Sequence, residues 1–153
     1  MHRYLLSFWP VVFLLAIVNA SYADNAIENL QPFRSDGCSA FPDGTLQQNT
    51  LWLACCVEHD KAYWLGGSAT ERRLADEALQ VCVNNVGEAE IAQVMLAGVR
   101  VGGSPYWPTN FRWGYGWPYW QGLTLRGYKV VTAAERQQAS RLLSEFQLTI
   151  KNY

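Results

Sequence analysis

The residues best suited to chemistry stand in one run, Cys55-Cys56-Val57-Glu58-His59-Asp60-Lys61-Ala62-Tyr63. On a helix, Cys55, His59 and Tyr63 recur every four residues and share a face, while Asp60 sits about 100° around from His59. One face then presents a base and its neighbour an oxygen ligand. Asp76 follows with 16 residues between it and His59. If the chain turns back near Gly67 or Ser68, residues equidistant from the turn lie level on two antiparallel helices, and His59 comes level with Asp76. A carboxylate there accepts a hydrogen bond from one imidazole nitrogen and fixes the tautomer that leaves the other nitrogen free as a base. Asp60, Asp36 and the carbonyl of Gly37 offer hard oxygen ligands without a second histidine, which predicts calcium rather than zinc. A divalent cation there would polarise a carbonyl while His59 activates a water to attack it. Each residue alone has a plainer explanation: a turn for Asp36 and Asp43, a solvated acid for Asp76, a core ring for Tyr63. Their joint occurrence favours a site.

The elements that must position these residues are mainly helical. Pro32, Ser35-Asp36-Gly37, Pro42-Asp43-Gly44 and Gln47-Gln48-Asn49 are turn chemistry, so residues 24–49 read as loop. Thr50 is an acceptable N-cap, and Leu51 to Leu65 runs without Gly or Pro until Gly66-Gly67 stops a first helix. Ser68 or Thr70 caps a second, with Glu71 in its first turn, running to about Val83. A third spans Glu88 to Val101, with Ile91, Val94, Met95, Gly98 and Val101 as its core face. A last helix starts at Thr132, where Thr132-Ala133-Ala134-Glu135 has capping-box spacing, and carries a stripe of Ala139, Leu142, Leu143, Phe146 and Ile150. Between the third and last helices, 8 of the 16 positions from Pro105 to Trp120 are aromatic. Such a segment suits either a packed cap over the helix pair or a membrane interface, and the interspersed glycines with Asn110 and Arg112 favour the cap.

Four cysteines, Cys38, Cys55, Cys56 and Cys82, allow three pairings. Adjacent Cys55 and Cys56 would close a strained ring, which leaves two crosswise options. In the antiparallel register Cys55 and Cys82 come nearly level, so a bridge between them is geometrically reasonable and the other would join Cys38 to Cys56. Disulfides imply export. Consistent with that, a short basic start is followed by an uncharged apolar run from Tyr4 to Val18 that ends in small residues, a secretory leader cleaved after Ala20 or Ala23, with residues 1–23 favoured and 24–153 left as one domain. The alternative is an uncleaved membrane anchor, since a span needs roughly 20 residues. Cleavage removes His2 and leaves His59 as the single histidine. The whole chain has 153 residues, is 50% hydrophobic and 16% charged, and has a formal net charge of −1. That excludes a disordered chain and lacks the basic excess that nucleic acid phosphates demand.

The run of paired cysteines, two variable residues, His-Asp and a tyrosine three residues later resembles the signature of the secreted phospholipase A2 family. Asp36-Gly37-Cys38-Ser39 is similar to the calcium loop of its bacterial and fungal members, and the Asp76 to Cys82 spacing to its second active-site helix. The resemblance covers residues 36–83. It implies His59 as general base, Asp76 as its orienting carboxylate, Tyr63 as a hydrogen-bonding support for Asp76, and calcium held by Asp60, Asp36 and the Gly37 carbonyl. The animal pattern would instead use the carbonyls of Gly37, Ser39 and Phe41. It also implies the Cys38–Cys56 and Cys55–Cys82 pairs. Ser39-Ala40-Phe41-Pro42-Asp43 stands where animal members have a glycine-rich stretch, and the short connection to Asp76 leaves no room for their β-hairpin wing. The expectation is therefore an all-α, disulfide-tied antiparallel helix pair with an extra aromatic segment and C-terminal helix. Its expected activity is calcium-dependent hydrolysis of the sn-2 ester of glycerophospholipids at a membrane surface. A non-catalytic lipid-binding or envelope protein on the same scaffold is the competing expectation. A thiol oxidoreductase fits poorly, since adjacent cysteines lack CxxC geometry.

Overall fold

The structure, a computed structural model, describes residues 30–151. The expected leader over 1–23 and the side chain of Ile150 lie outside the described residues. The chain is mainly helical, with helices α1 (Leu53–Leu65), α2 (Ala69–Asn85), α3 (Ala89–Gly102) and α4 (Ala133–Lys151). A small antiparallel hairpin pairs β1 (Trp120–Gln121) with β2 (Thr124–Leu125). No helix among the described residues is long and apolar enough to cross a membrane.

α1 begins at Leu53 rather than Leu51, with Trp52, not Thr50, at its N-cap. The physical reason is Trp52 itself. Its ring is buried, its indole N–H donates to Pro42 O (2.5 Å), and its backbone N–H donates to Asp43 O (3.0 Å). Those bonds hold the preceding residues in a turn. α1 ends as expected at Gly66, whose φ of 72° suits a residue without Cβ. A Cβ there would also come within 2.7 Å of the Gly114 Cα, so this helix end has a second reason to be glycine. Ser68 caps α2 through a full capping box with Glu71. Thr132 caps α4 similarly, its hydroxyl accepting from Glu135 N (3.2 Å) while the Glu135 carboxylate accepts from Thr132 N (2.7 Å).

α1 and α2 run antiparallel: Tyr63 meets Arg72, His59 meets Asp76, and Cys55 is bonded to Cys82, three rungs in opposite senses along the two helices. The second bridge joins Cys38 to Cys56. α3 returns along α2, where Arg100 reaches Arg73 O and Glu77 (both 3.2 Å) while Arg72 reaches Val99 O (2.8 Å). One core forms between these helices from Trp52, Cys55, Cys56, Leu79, Val83, Ala92 and Met95. A second gathers Leu30, Phe33, Trp64, Trp117 and Ala139, with Leu142, Leu143 and Phe146 of α4 packed against it.

Two expectations about residues 88–131 need correction. Val94 and Val101 do not belong to the core; they are 56% and 77% exposed. The apolar face of α3 is wider than its contact with α2, and its outer edge, Val94 and Gly98, borders a groove instead. The aromatic segment is a cap only in part. Trp113 and Trp117 are buried, whereas Tyr106, Trp107, Phe111 and Trp120 stay substantially exposed. The buried part satisfies the carbonyls that α1 leaves open at its C-terminal end. Gly114 N and Gly116 N donate to Tyr63 O (2.6 Å) and Trp64 O (3.0 Å), and the indoles of Trp117 and Trp113 to Leu65 O (2.6 Å) and Gly67 O (2.8 Å).

Candidate active site

The structure brings His59, Tyr63 and Asp76 together where α1 and α2 face one another. Asp76 is fully buried. Its Oδ1 lies 3.2 Å from His59 Nε2 and accepts from the Tyr63 hydroxyl at 2.6 Å. A carboxylate in this position selects the tautomer with the proton on Nε2, which leaves the Nδ1 lone pair free. Among the described residues no partner faces Nδ1, and the ring lines a groove. The imidazole is also held from below, tilted on the Tyr63 ring with centroids 4.1 Å apart. Burial, and then the Asp76 carboxylate, push the Tyr63 hydroxyl above its ordinary pKa. It therefore stays protonated and keeps donating to Asp76 across the whole working range.

Three residues that the sequence did not flag complete this arrangement. Arg72 donates from Nε to the Tyr63 oxygen (3.2 Å), from Nη1 to the Tyr128 hydroxyl (2.8 Å), and from Nη2 to the Val99 and Arg100 carbonyls (2.8 and 2.9 Å). It sits one helical turn before Asp76, so its place on the same face was readable from spacing. Arg100 places Nε 3.2 Å from Asp76 Oδ2. The contact is an ion pair whose angle makes no hydrogen bond, so Oδ2 is buried without a hydrogen-bond partner and its charge is balanced by the guanidinium alone. Gly103, just past α3, packs its backbone on Tyr63; a Cβ there would collide with the Tyr63 ring and hydroxyl.

Asp60 lies beside this group, 9% exposed, and its Oδ2 accepts from the Ser35 hydroxyl at 2.6 Å. Burial raises its pKa from 3.8 to about 6, with Asp36 and Asp43 adding to the rise against the Ser35 hydrogen bond and His59. The Tyr115 hydroxyl ties the neighbourhood together, reaching Arg34 O (2.6 Å) and Asp60 O (3.3 Å). The loop before α1 is shaped by its own acids. Asp43 accepts from Cys38 N (2.8 Å), and Asp36 accepts from the Ser39 hydroxyl (2.9 Å), anchoring Ser39 at a φ of 55° that non-glycine residues seldom adopt.

Asp60, Asp36 and the Gly37 carbonyl are all hard oxygen donors. Asp36 adds to the cost of ionising the buried Asp60, and a divalent cation beside them would relieve that cost. Among the described residues no group of three or more His, Cys, Asp or Glu side chains clusters closely enough to hold a metal. A cation here would therefore rest on two carboxylates, loop carbonyls and water. His59 and Asp60 line a groove of about 410 Å³ together with Leu79, Val94, Met95 and Val99. No known protein family matches the chain, and no curated protein or solved structure shows significant similarity to it.

Proposed function

We propose that the protein is a calcium-dependent ester hydrolase of phospholipase A2 type, acting on the sn-2 acyl ester of glycerophospholipids. The observation that carries the reading is a single groove lined both by a histidine oriented by a buried carboxylate and by aliphatic side chains. The first is what ester hydrolysis needs and the second is what an acyl chain needs. The antiparallel α1–α2 pair, its two disulfides and the Asp36-Gly37-Cys38-Ser39 loop support the same family assignment.

In this reaction His59 Nδ1 takes a proton from water as the water oxygen attacks the ester carbonyl. The imidazolium so formed is stabilised by the Asp76 carboxylate through Nε2–H. Collapse of the tetrahedral intermediate breaks the ester bond, and Nδ1–H returns the proton to the departing lysophospholipid oxygen. Tyr63, Arg72 and Arg100 hold Asp76 in place throughout. Asp60, Asp36 and the Gly37 carbonyl would hold calcium, which when bound would supply positive charge for the lipid phosphate and for the developing oxyanion. The deciding experiment is a calcium titration of fatty-acid release from mixed phospholipid vesicles, with chelator as control and His59→Gln alongside. Activity that rises with calcium and vanishes in His59→Gln supports the proposal. Vesicle binding with no hydrolysis at any calcium concentration would leave the lipid-binding alternative in its place.

A further inference from the structure

The apolar groove does not end at Asp60. On the other side of that carboxylate lies a second cavity of about 750 Å³, and the two share Ser39, Asp60 and Phe111. Their linings differ in kind. The first is walled by aliphatic side chains of α2 and α3, the second by Arg34, Asp36, Asn110, Arg112 and Tyr119, most of them from the aromatic segment that the phospholipase resemblance does not reach. An apolar and a polar compartment joined at the reacting centre suit an amphiphile laid across it, with acyl chain on one side and headgroup on the other.

We propose that the second cavity is a headgroup subsite that selects anionic phospholipids over those bearing a quaternary ammonium. The charges are arranged for it. Of the two carboxylates, Asp60 belongs to the junction and Asp36 lines the second cavity beside it, and a divalent cation held by both would neutralise them. With those two carboxylates neutralised, the charged side chains left in the lining are cationic, Arg34 and Arg112. Arg34 is exposed, and among the described residues its guanidinium has no partner. Arg112 is only 6% exposed and spends its donors on the carbonyls of Trp113 (3.3 Å), Gly114 (2.8 Å) and Trp117 (2.6 Å), so no carboxylate cancels its charge. A choline would need an open aromatic face. The Tyr119 face is already taken by Arg112, whose guanidinium carbon sits 5.1 Å from the ring centroid. A trimethylammonium placed there meets two like charges; an anionic headgroup meets two charges of opposite sign, and the Arg34 guanidinium supplies the donors.

This inference rests on the hydrolase reading, and its test separates the two. Dihexanoyl phosphatidylglycerol and dihexanoyl phosphatidylcholine are compared as monomers, below their micelle concentrations, so that no surface charge contributes. With calcium present, kcat/KM is higher for the glycerol lipid by about tenfold, and Arg34→Gln collapses the ratio to within about threefold. Equal rates, a choline preference, or a glycerol preference that survives Arg34→Gln overturns the proposal. Calorimetric titration of the full chain with glycerophosphoglycerol and glycerophosphocholine reads the subsite without catalysis. Binding of the first, weakened in Arg34→Gln, upholds the subsite even if neither lipid is hydrolysed, whereas equal or absent binding of both refutes it whatever the hydrolysis assay shows.

Discussion

Asp60→Asn should make the protein more stable at neutral pH in the absence of calcium while removing its response to the ion. Burial is the main reason the Asp60 carboxyl titrates near 6 rather than at 3.8. In the folded chain it holds a proton over a range in which the unfolded chain has lost it. Its contribution to stability is thus greatest below the unfolded pKa and declines as pH climbs through the interval from 3.8 to about 6, then stays level. A shift of that size costs at most roughly 3 kcal/mol at pH 7.5, taking 1.36 kcal/mol per unit. Asparagine keeps an oxygen for the Ser35 hydroxyl and can turn its amide toward the cavity, so most of that cost disappears and little replaces it. The expected gain is about 1–3 kcal/mol at pH 7.5 in chelator, shrinking to roughly a third of its value at pH 4.5.

Urea denaturation followed by tryptophan fluorescence measures this directly. In millimolar calcium the order reverses in sensitivity: wild type gains stability by mass action and the variant gains none. A variant no more stable than wild type in chelator at pH 7.5 would refute the electrostatic reasoning. So would a difference that grows as pH falls. Calcium stabilising both proteins equally would move the cation site away from Asp60.

Other perturbations address the positioning network. Gly103→Ala pushes a methyl group into the Tyr63 ring and hydroxyl, and should lower kcat at least tenfold with KM little changed; steady-state kinetics on monomeric lipid would detect it. Arg100→Gln leaves the buried Asp76 Oδ2 without its cation and should cost about 1–2 kcal/mol in urea denaturation, discounted because Arg100 is itself partly exposed. Replacing Cys38 and Cys56 together by Ala opens a closure of 18 residues, worth up to about 3 kcal/mol, and frees the Asp36–Ser39 loop; calcium affinity should fall more steeply than helix content measured by circular dichroism.

Much of the site's skeleton was legible because it is local. The Gly66-Gly67-Ser68 turn sets the α1–α2 register, and that register alone brings His59 to Asp76 and Cys55 to Cys82. What depended on later chain was not. Arg100 and Gly103 act on Asp76 and Tyr63 only because α3 docks on α2, and nothing in their spacing announces that. Hydrophobic period misled in a related way at Val94: an i, i+3, i+4 stripe marks an apolar face, and the face does not say whether it meets a core or a ligand groove. Composition had the same blind spot in the aromatic segment, where Trp113 and Trp117 are buried and Trp107 and Trp120 are not. Thr50 was a sound cap by residue type, but it lost to Trp52, whose burial and backbone bond to Asp43 decide where helical geometry begins.

The geometry at His59 owes as much to the residues outside the motif as to the motif. A hairpin of α1 and α2 with two disulfides would leave the carbonyls of Tyr63, Trp64 and Leu65 open and the Trp64 ring uncovered. Residues 113–117 take all three carbonyls, and Trp113 also stands edge-on to the Tyr63 ring, with centroids 5.1 Å apart. Trp117 in turn is covered by the Arg126 guanidinium, 4.0 Å above its ring, and Arg126 is fixed by a buried ion pair to Glu135, the partner of Thr132 in the cap of α4. A continuous chain of contacts thus runs from the start of α4 through Arg126 and Trp117 to the last turn of α1. That turn carries Tyr63, and Tyr63 carries the Asp76 carboxylate that orients His59. The aromatic segment and the last helix therefore set the rigidity of the very end of α1 on which the imidazole depends, while a separate face of the same segment lines the polar cavity. One stretch of sequence thus both braces the end of α1 that carries Tyr63 and lines the polar cavity beside Asp60.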